Sequence, residues 1–186
     1  MKTTLVNLVK ELAVQYGEFR LSSGAISSYF IDMSKVTHHS SGLEVISKEI
    51  LHALCGPPFL DHFPDAIGGP VLGAAPIVGG VLARYRQLSL KRPLFKPVMR
   101  GFLVRKEPKD GQYIEGDLRS GDNVLIVEDV VTTGKQTKKA IDQVLAVGAK
   151  VVGVIAVVDR LAGAAELLKD WPYNALVTVE DLGVRA

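Results

Sequence analysis

The chain has 186 residues, 47% of them hydrophobic, with 22 basic and 20 acidic side chains for a formal charge of +2. That length and apolar content suit one sizeable core rather than two ordinary domains, and near-balanced charge excludes the global basic field that nucleic acid or an anionic membrane surface would require. The single cysteine, Cys55, excludes an internal disulfide, every apolar run is too short to cross a bilayer, and the opening MKTTLVNLVKEL lacks a signal peptide's apolar centre. A soluble protein in a reducing, cytoplasmic setting is expected.

Leu5, Leu8, Val9, Leu12, Ala13 and Tyr16 recur at helical spacing, and Gly17 is placed to end the turn, so the chain is expected to open with an amphipathic helix. FRLSSGAISSYFID reads as an extended segment. Ser41 and Glu44 have the spacing of a capping box for a second helix carrying Leu43, Ile46, Ile50 and Leu54, stopped by Gly56, Pro57 and Pro58. Strand and helix then alternate. DAIGG is a strand leading through PVLGAAP into the helix IVGGVLARY, and PVMRGFLVR is a strand. NVLIVED is a strand followed by a helix ending at Gly148; KVVGVIAVVD, AGAAELLKDW and NALVTVEDL complete the series. Runs such as Val124 to Val127 and Val151 to Val158 are apolar at nearly every position, which suits strands covered on both faces in a parallel sheet. The expectation is an α/β fold in one domain, residues 1–186, with about the first 35 residues capping the sheet's edge.

The stretch VLIVEDVVTTGKQT, Val124 to Thr137, carries the chemistry. Ligands of an open parallel sheet sit beyond the carboxyl ends of its strands. Glu128 and Asp129 end such a strand, and Val130, Val131, Thr132, Thr133, Gly134, Lys135 and Gln136 form a turn into a helix. That turn offers backbone N–H groups and a helix dipole to a phosphate. Carboxylates repel the same phosphate, so they need a neutral or cationic partner, and a sugar diol supplies one. Phosphate and diol together describe ribose 5-phosphate, with magnesium as an associate. Read by itself, the acidic pair is equally a solvated strand end and Thr-Thr-Gly a helix cap. A P-loop is excluded by Asp129 in place of its first glycine and Gln136 in place of its Ser or Thr; Gly68, Gly69 and Gly73 do not fall at dinucleotide-fold spacing.

The same stretch resembles the phosphoribosyl diphosphate motif of type I phosphoribosyltransferases. FRLSSGAISSYFID, AIGGPVLGAAPI, FLVRKEPK and VVDRLAGAAE, in that order, are similar to segments of the orotate phosphoribosyltransferase family. The resemblance implies a mostly parallel central sheet flanked by helices with a small N-terminal hood over the orotate site. It implies transfer of a phosphoribosyl group from 5-phosphoribosyl 1-diphosphate (PRPP) to orotate, with Mg2+ held through substrate and water, in a homodimer. By the resemblance, Glu128 and Asp129 hold the ribose, residues 130 to 136 the phosphate, and Gly69, Pro70, Val71, Leu72 and Gly73 the diphosphate. Arg160, Thr132, Tyr29 and Phe30 would contact orotate. Arg105, Lys106 and Lys109 would lie on a mobile loop that reaches the neighbouring subunit's diphosphate, Lys109 acting with Asp129 in catalysis.

One segment departs from the family pattern. Only Asp110, Gly111, Gln112 and Tyr113 separate Lys109 from Ile114, Glu115 and Gly116, and the loop histidine is absent. A PRPP-binding protein without turnover and an enzyme for another base therefore stand as alternatives. His38, His39, His52 and His62 read as structural or exposed, and Lys91, Arg92, Lys96 and Arg100 as a solvated basic face. Gly73 and Ser22 stand where some family members carry lysine.

Overall fold

Val124, Leu125, Ile126 and Val127 are all 0% exposed, because the strand they form lies inside a six-stranded sheet with helices on both sides. The structure is a computed structural model, and it describes residues 2–20, 26–57, 59, 62–90 and 98–184. Its elements are α1 (Lys2–Leu12), β1 (Val14–Arg20), β2 (Ile26–Ile31), α2 (Ser34–Thr37), α3 (Ser40–Ala53), β3 (Ala66–Pro70) and α4 (Ala74–Ser89). There follow β4 (Arg100–Lys109), β5 (Gln112–Gly116), β6 (Asn123–Val131), α5 (Lys135–Ala146), β7 (Lys150–Asp159), α6 (Ala164–Leu167) and β8 (Tyr173–Thr178). The sheet order is β5-β4-β3-β6-β7-β8, parallel throughout except where β5 runs antiparallel to β4. This is the expected α/β architecture, and no helix among the described residues is long and apolar enough to cross a membrane.

Alternation along β6 divides the core. Leu125 and Val127 pack with α1, α3 and α4, while Val124 and Ile126 pack with Ala140, Ile141 and Val144 of α5. Successive strand side chains point to opposite faces, which assigns Val124 to Val127 to alternating layers; the alternation shifts at the end of β6, where Val130 packs with the layer of Leu125 and Val127, and Val131 with the α5 layer.

The N-terminal region differs from its expected form. The first helix stops at Leu12, and Tyr16, 73% exposed, lies in β1, which pairs antiparallel with β2 as a separate two-stranded sheet. Gly17 sits at the register shift between Tyr16 and Phe19 and marks an irregularity in a strand, not a helix end. The helical spacing misled because Tyr16, Phe19 and the segment Ser27–Ile31 gain more from cross-strand pairing than from another helical turn. The capping box also fails to form: α3 begins two residues earlier than that box requires, with His39 at its N-cap and no side-chain cap, and Glu44 pairs instead with Lys48 at 2.7 Å. Pro58 and Ser22, with Lys91, Arg92 and Lys96 of the expected basic face, lie outside the described residues. Arg100 is no solvated cation; it pairs with the buried Asp122 beside Asp117.

The cationic segment is not an open loop. β4 continues through Lys109, and Asp110 and Gly111, at φ 52° and 78°, turn directly into β5. Positive φ at both central residues is the type I′ hairpin geometry that Asp-Gly favours.

Close packing of strands depends on Gly69. A Cβ there would lie 2.0 Å from the Val127 carbonyl oxygen and 2.8 Å from the Ala74 methyl. Gly69→Ala is expected to destabilise the fold by roughly 1–3 kcal/mol through forced separation of β3 from β6, read as a lower urea midpoint at unchanged m-value.

Candidate functional site

The parallel strands β3, β6 and β7 end on one edge of the sheet, and the segments that follow them meet there. A cavity of about 1080 Å³ opens at this edge. Leu72 and Gly73 after β3, Asp129 to Thr133 around the end of β6 (Val131 apart), Lys135 at the start of α5, and Arg160 after β7 line it. Tyr29 and Phe30 of the hairpin close the opposite side. Residues far apart in sequence thus converge at the topological position where open α/β sheets bind ligands.

The two acids separate. Asp129 shares the parity of Leu125 and Val127 and faces the cavity, while Glu128 shares that of Val124 and Ile126 and turns to the α5 layer. There the Thr137 hydroxyl donates to the Glu128 carboxyl, both groups being buried. The expectation that adjacent carboxylates face one sugar is therefore not met in this structure, and strand alternation is the reason. Burial pushes the Glu128 carboxyl up to about 7, against the Thr137 hydrogen bond, with the nearby Asp129 charge adding to the rise. Asp129 is also raised, first by burial and further by Asp32, while the Val130 N–H donating to Oδ1 at 2.9 Å opposes the shift.

Gly73 makes room for Asp129. A Cβ at that position would stand 2.1 Å from the Asp129 Oδ1, so any larger residue must displace the carboxylate. The Val71–Leu72 peptide beside it is cis, and Leu72 is 82% exposed at the rim. Gly69 and Pro70, by contrast, lie buried within β3, so only Leu72 and Gly73 of the expected diphosphate segment reach the cavity.

Val130 and Val131 still belong to β6, and the phosphate turn is tighter than expected, running from Thr132 to Gly134. Gly134 caps α5 at φ 77°, a left-handed value that glycine adopts without Cβ strain. Thr132, Thr133 and Lys135 line the main cavity; Val131 is buried, and Gln136 lines a second cavity of about 400 Å³ across the sheet. A helix N-terminus flanked by two hydroxyls and an ammonium is suited to a phosphate.

Arg160 lies over the Tyr29 ring, 4.7 Å from its centroid, and Nη2 is 3.5 Å from the Ser27 hydroxyl. It forms no ion pair among the described residues. A planar guanidinium stacked on an aromatic face keeps its edge for a carboxylate. Three cationic residues, Arg20, Lys135 and Arg160, face two acidic ones, Asp32 and Asp129, among the cavity's described lining, a modest positive excess.

The cationic hairpin does not join this cavity. Arg105 pairs with Glu115 across the hairpin and lines the second cavity with Lys106, while Lys109 is exposed near the hairpin tip. Asp32, Ser34, Thr37, His38 and Arg20 line the main cavity without having been singled out as ligand contacts. His38, expected to be structural or exposed, is both exposed and at the cavity, its Nδ1 2.9 Å from the Ser34 carbonyl oxygen. The signal for this group was the proximity of Asp32 to Tyr29 and Phe30 in sequence; nothing marked His38 apart from the other histidines.

Residues 99–178 match the model of the phosphoribosyl transferase domain. The orotate phosphoribosyltransferase of Rhodopirellula baltica is 38% identical over 97% of this chain and 93% of its own length, and that of Methanocaldococcus jannaschii is 36% identical over 97% and 96%. The crystal structure of Mycobacterium tuberculosis orotate phosphoribosyltransferase in complex with PRPP superposes with a TM-score of 0.76 at 31% identity, covering 98% of this chain and 99% of that one. With such similarity along nearly its whole length, this chain belongs to the orotate phosphoribosyltransferase family.

Proposed function

We propose that the protein transfers the 5-phosphoribosyl group of PRPP to orotate, giving orotidine 5′-phosphate and diphosphate for pyrimidine nucleotide synthesis. The observation that carries this reading is one cavity holding a phosphate-type helix entrance, the Asp129 carboxylate with Asp32 near it, and a stacked guanidinium that makes no ion pair among the described residues. The turn Thr132 to Lys135 receives the 5′-phosphate, Asp129 accepts from the ribose hydroxyls, and Arg160, with Thr132, Tyr29 and Phe30, orients the carboxylate-bearing pyrimidine under the N-terminal hairpin. Glu128 braces α5 through Thr137 from behind; a contact with the sugar would require it to leave that partner.

Bond breaking at the ribose leaves positive character on the ring and negative charge on the departing diphosphate. Asp129 is placed to stabilise the first. Arg105, Lys106 and Lys109 carry charge suited to the second, and their separation from the cavity of their own chain supports delivery to a second subunit of a homodimer. Asp129 and Asp32, near enough for one to raise the other, are the oxygen donors that suit Mg2+ held mainly by substrate and water. When bound, the ion would supply positive charge beside the diphosphate. A cytoplasmic location accords with the lone exposed thiol of Cys55.

Arg160→Ala should raise the orotate KM about tenfold or more while moving the PRPP KM less than about twofold; equal losses in a steady-state assay would refute the assignment. Mixing inactive Lys109→Ala and Asp129→Asn proteins should restore part of the activity by forming one intact composite site per mixed dimer, and no recovery after verified subunit exchange counts against action in trans. Glu128 gives a pH signature. Its folded carboxyl titrates near 7 and its ordinary value is 4.5, so between those values the folded state binds more protons, and stability falls as pH rises through that window. Glu128→Gln, which keeps an acceptor for Thr137, should therefore match the parent near pH 4.5 and exceed it by up to about 3 kcal/mol at pH 8 in urea unfolding.

A further inference from the structure

Beyond the residues that line the cavity, a buried hydrogen-bonded group fixes how Arg160 enters it. Asp159 ends β7 at 3% exposure, and each of its carboxylate oxygens has a partner on a different element. Oδ1 accepts from the Leu161 N–H at 2.7 Å, and Oδ2 accepts from the Tyr173 hydroxyl at 2.8 Å. Tyr173 opens β8, so the contact joins the last two strands of the sheet directly to the bend that carries Arg160.

That bend is costly without support. Leu161 sits at φ 55°, a left-handed value that a branched aliphatic residue rarely takes, and its side chain is 48% exposed, so apolar burial gives little compensation. The Leu161 N–H bond to Asp159 is the visible compensation. On either side the backbone is already fixed: Arg160 N–H donates to Val131 O at 2.9 Å, and Val179 N–H donates to Asp159 O at 3.0 Å. Burial, reinforced by the Asp159 hydrogen bond and the Asp159 and Glu128 charges, holds the Tyr173 phenol far above its usual titration range, so it remains a donor throughout the working pH range. With both Asp159 oxygens engaged, the neighbouring carboxylate does not pair with Arg160, whose charge stays free for a ligand.

We infer that Asp159 and Tyr173 form a positioning clamp that sets the Arg160 guanidinium over Tyr29 for the substrate carboxylate, without either residue touching substrate. The inference rests on the assignment of orotate to Arg160. Removing the Tyr173 hydroxyl leaves a buried carboxylate oxygen unpaired and frees the bend to move, which changes orotate recognition and leaves the phosphate turn, built on β6 and α5, as it was.

The test is a double-mutant cycle in the full-length protein, using Tyr173→Phe, Arg160→Ala and both together, with orotate and PRPP affinities from kinetics or, for slow variants, calorimetry. Asp159→Asn, which keeps an acceptor for Leu161 but loses the one for Tyr173, provides a second variant, and thermal melts confirm that each is folded. The expected result is a weakening of orotate by about tenfold in Tyr173→Phe and Asp159→Asn, PRPP affinity within about twofold of the parent, and no further loss when Tyr173→Phe is added to Arg160→Ala. An unchanged orotate affinity in both folded variants, equal losses for the two substrates, or additive losses in the double mutant overturns the clamp. An unchanged orotate affinity in Arg160→Ala alone overturns the assignment on which the clamp depends, so the two failures are distinguishable.

Discussion

Everything at the cavity depends on β6 being buried on both faces. A strand covered on one side by α4 and on the other by α5 must alternate its side chains between two dry layers, and it does so through Val124, Leu125, Ile126 and Val127. When the chain then places two acids in succession, the alternation continues and divides them. One carboxylate emerges into the cavity at the sheet's edge, where it can meet a polar ligand. The other remains enclosed, and a hydroxyl from α5 satisfies it. The identical chemistry of Glu128 and Asp129 therefore yields one ligand-facing group and one internal brace, because of their parity rather than their composition.

Electrostatics follow from the same geometry. Burial disfavours the charged form of both carboxylates, and Asp32 adds repulsion at Asp129. An arriving sugar with hydroxyl donors, or a cation accompanying a diphosphate, relieves that repulsion. Arg160 carries the complementary frustration, a cation seated on an aromatic ring with no acidic partner among the described residues. Unliganded charges of both signs, held a fixed distance apart by a rigid sheet edge, favour a substrate pair with matched charges over water.

Much of this was legible in the sequence because it depends on patterns that propagate. Apolar runs announced parallel strands, and Thr-Thr-Gly after a buried strand announced a helix entrance at the ligand edge. Arg160 was found because it follows a strand of the same kind. What escaped notice was set by tertiary competition. Tyr16 fits a helical stripe as well as a strand, and only pairing with Tyr29 decides between them. The pairing of Arg100 depends on the buried Asp122, which a linear reading does not bring near. The separation of Glu128 from Asp129 was available in principle, since neighbouring side chains of any strand point to opposite faces, although the uniformly apolar run before them shows no alternation of its own. Asp110-Gly111 was likewise a hairpin signal, obscured by reading the segment as an open loop.

The hairpin has one further consequence. A long open loop that settles over a substrate surrenders many backbone conformations at that moment, an entropic penalty subtracted from the stabilisation of the leaving group. Here the strands flanking Asp110 and Gly111 are paired at both ends, with Phe102, Leu103 and Val104 opposite Gly116, Glu115 and Ile114, and Lys109 opposite Gln112, the register shifting between Val104 and Lys109. The cationic segment is thus held by strand pairing at its base and again at its tip, with a register shift between them across Arg105 and Lys106, and its reach would be limited by where that base is anchored.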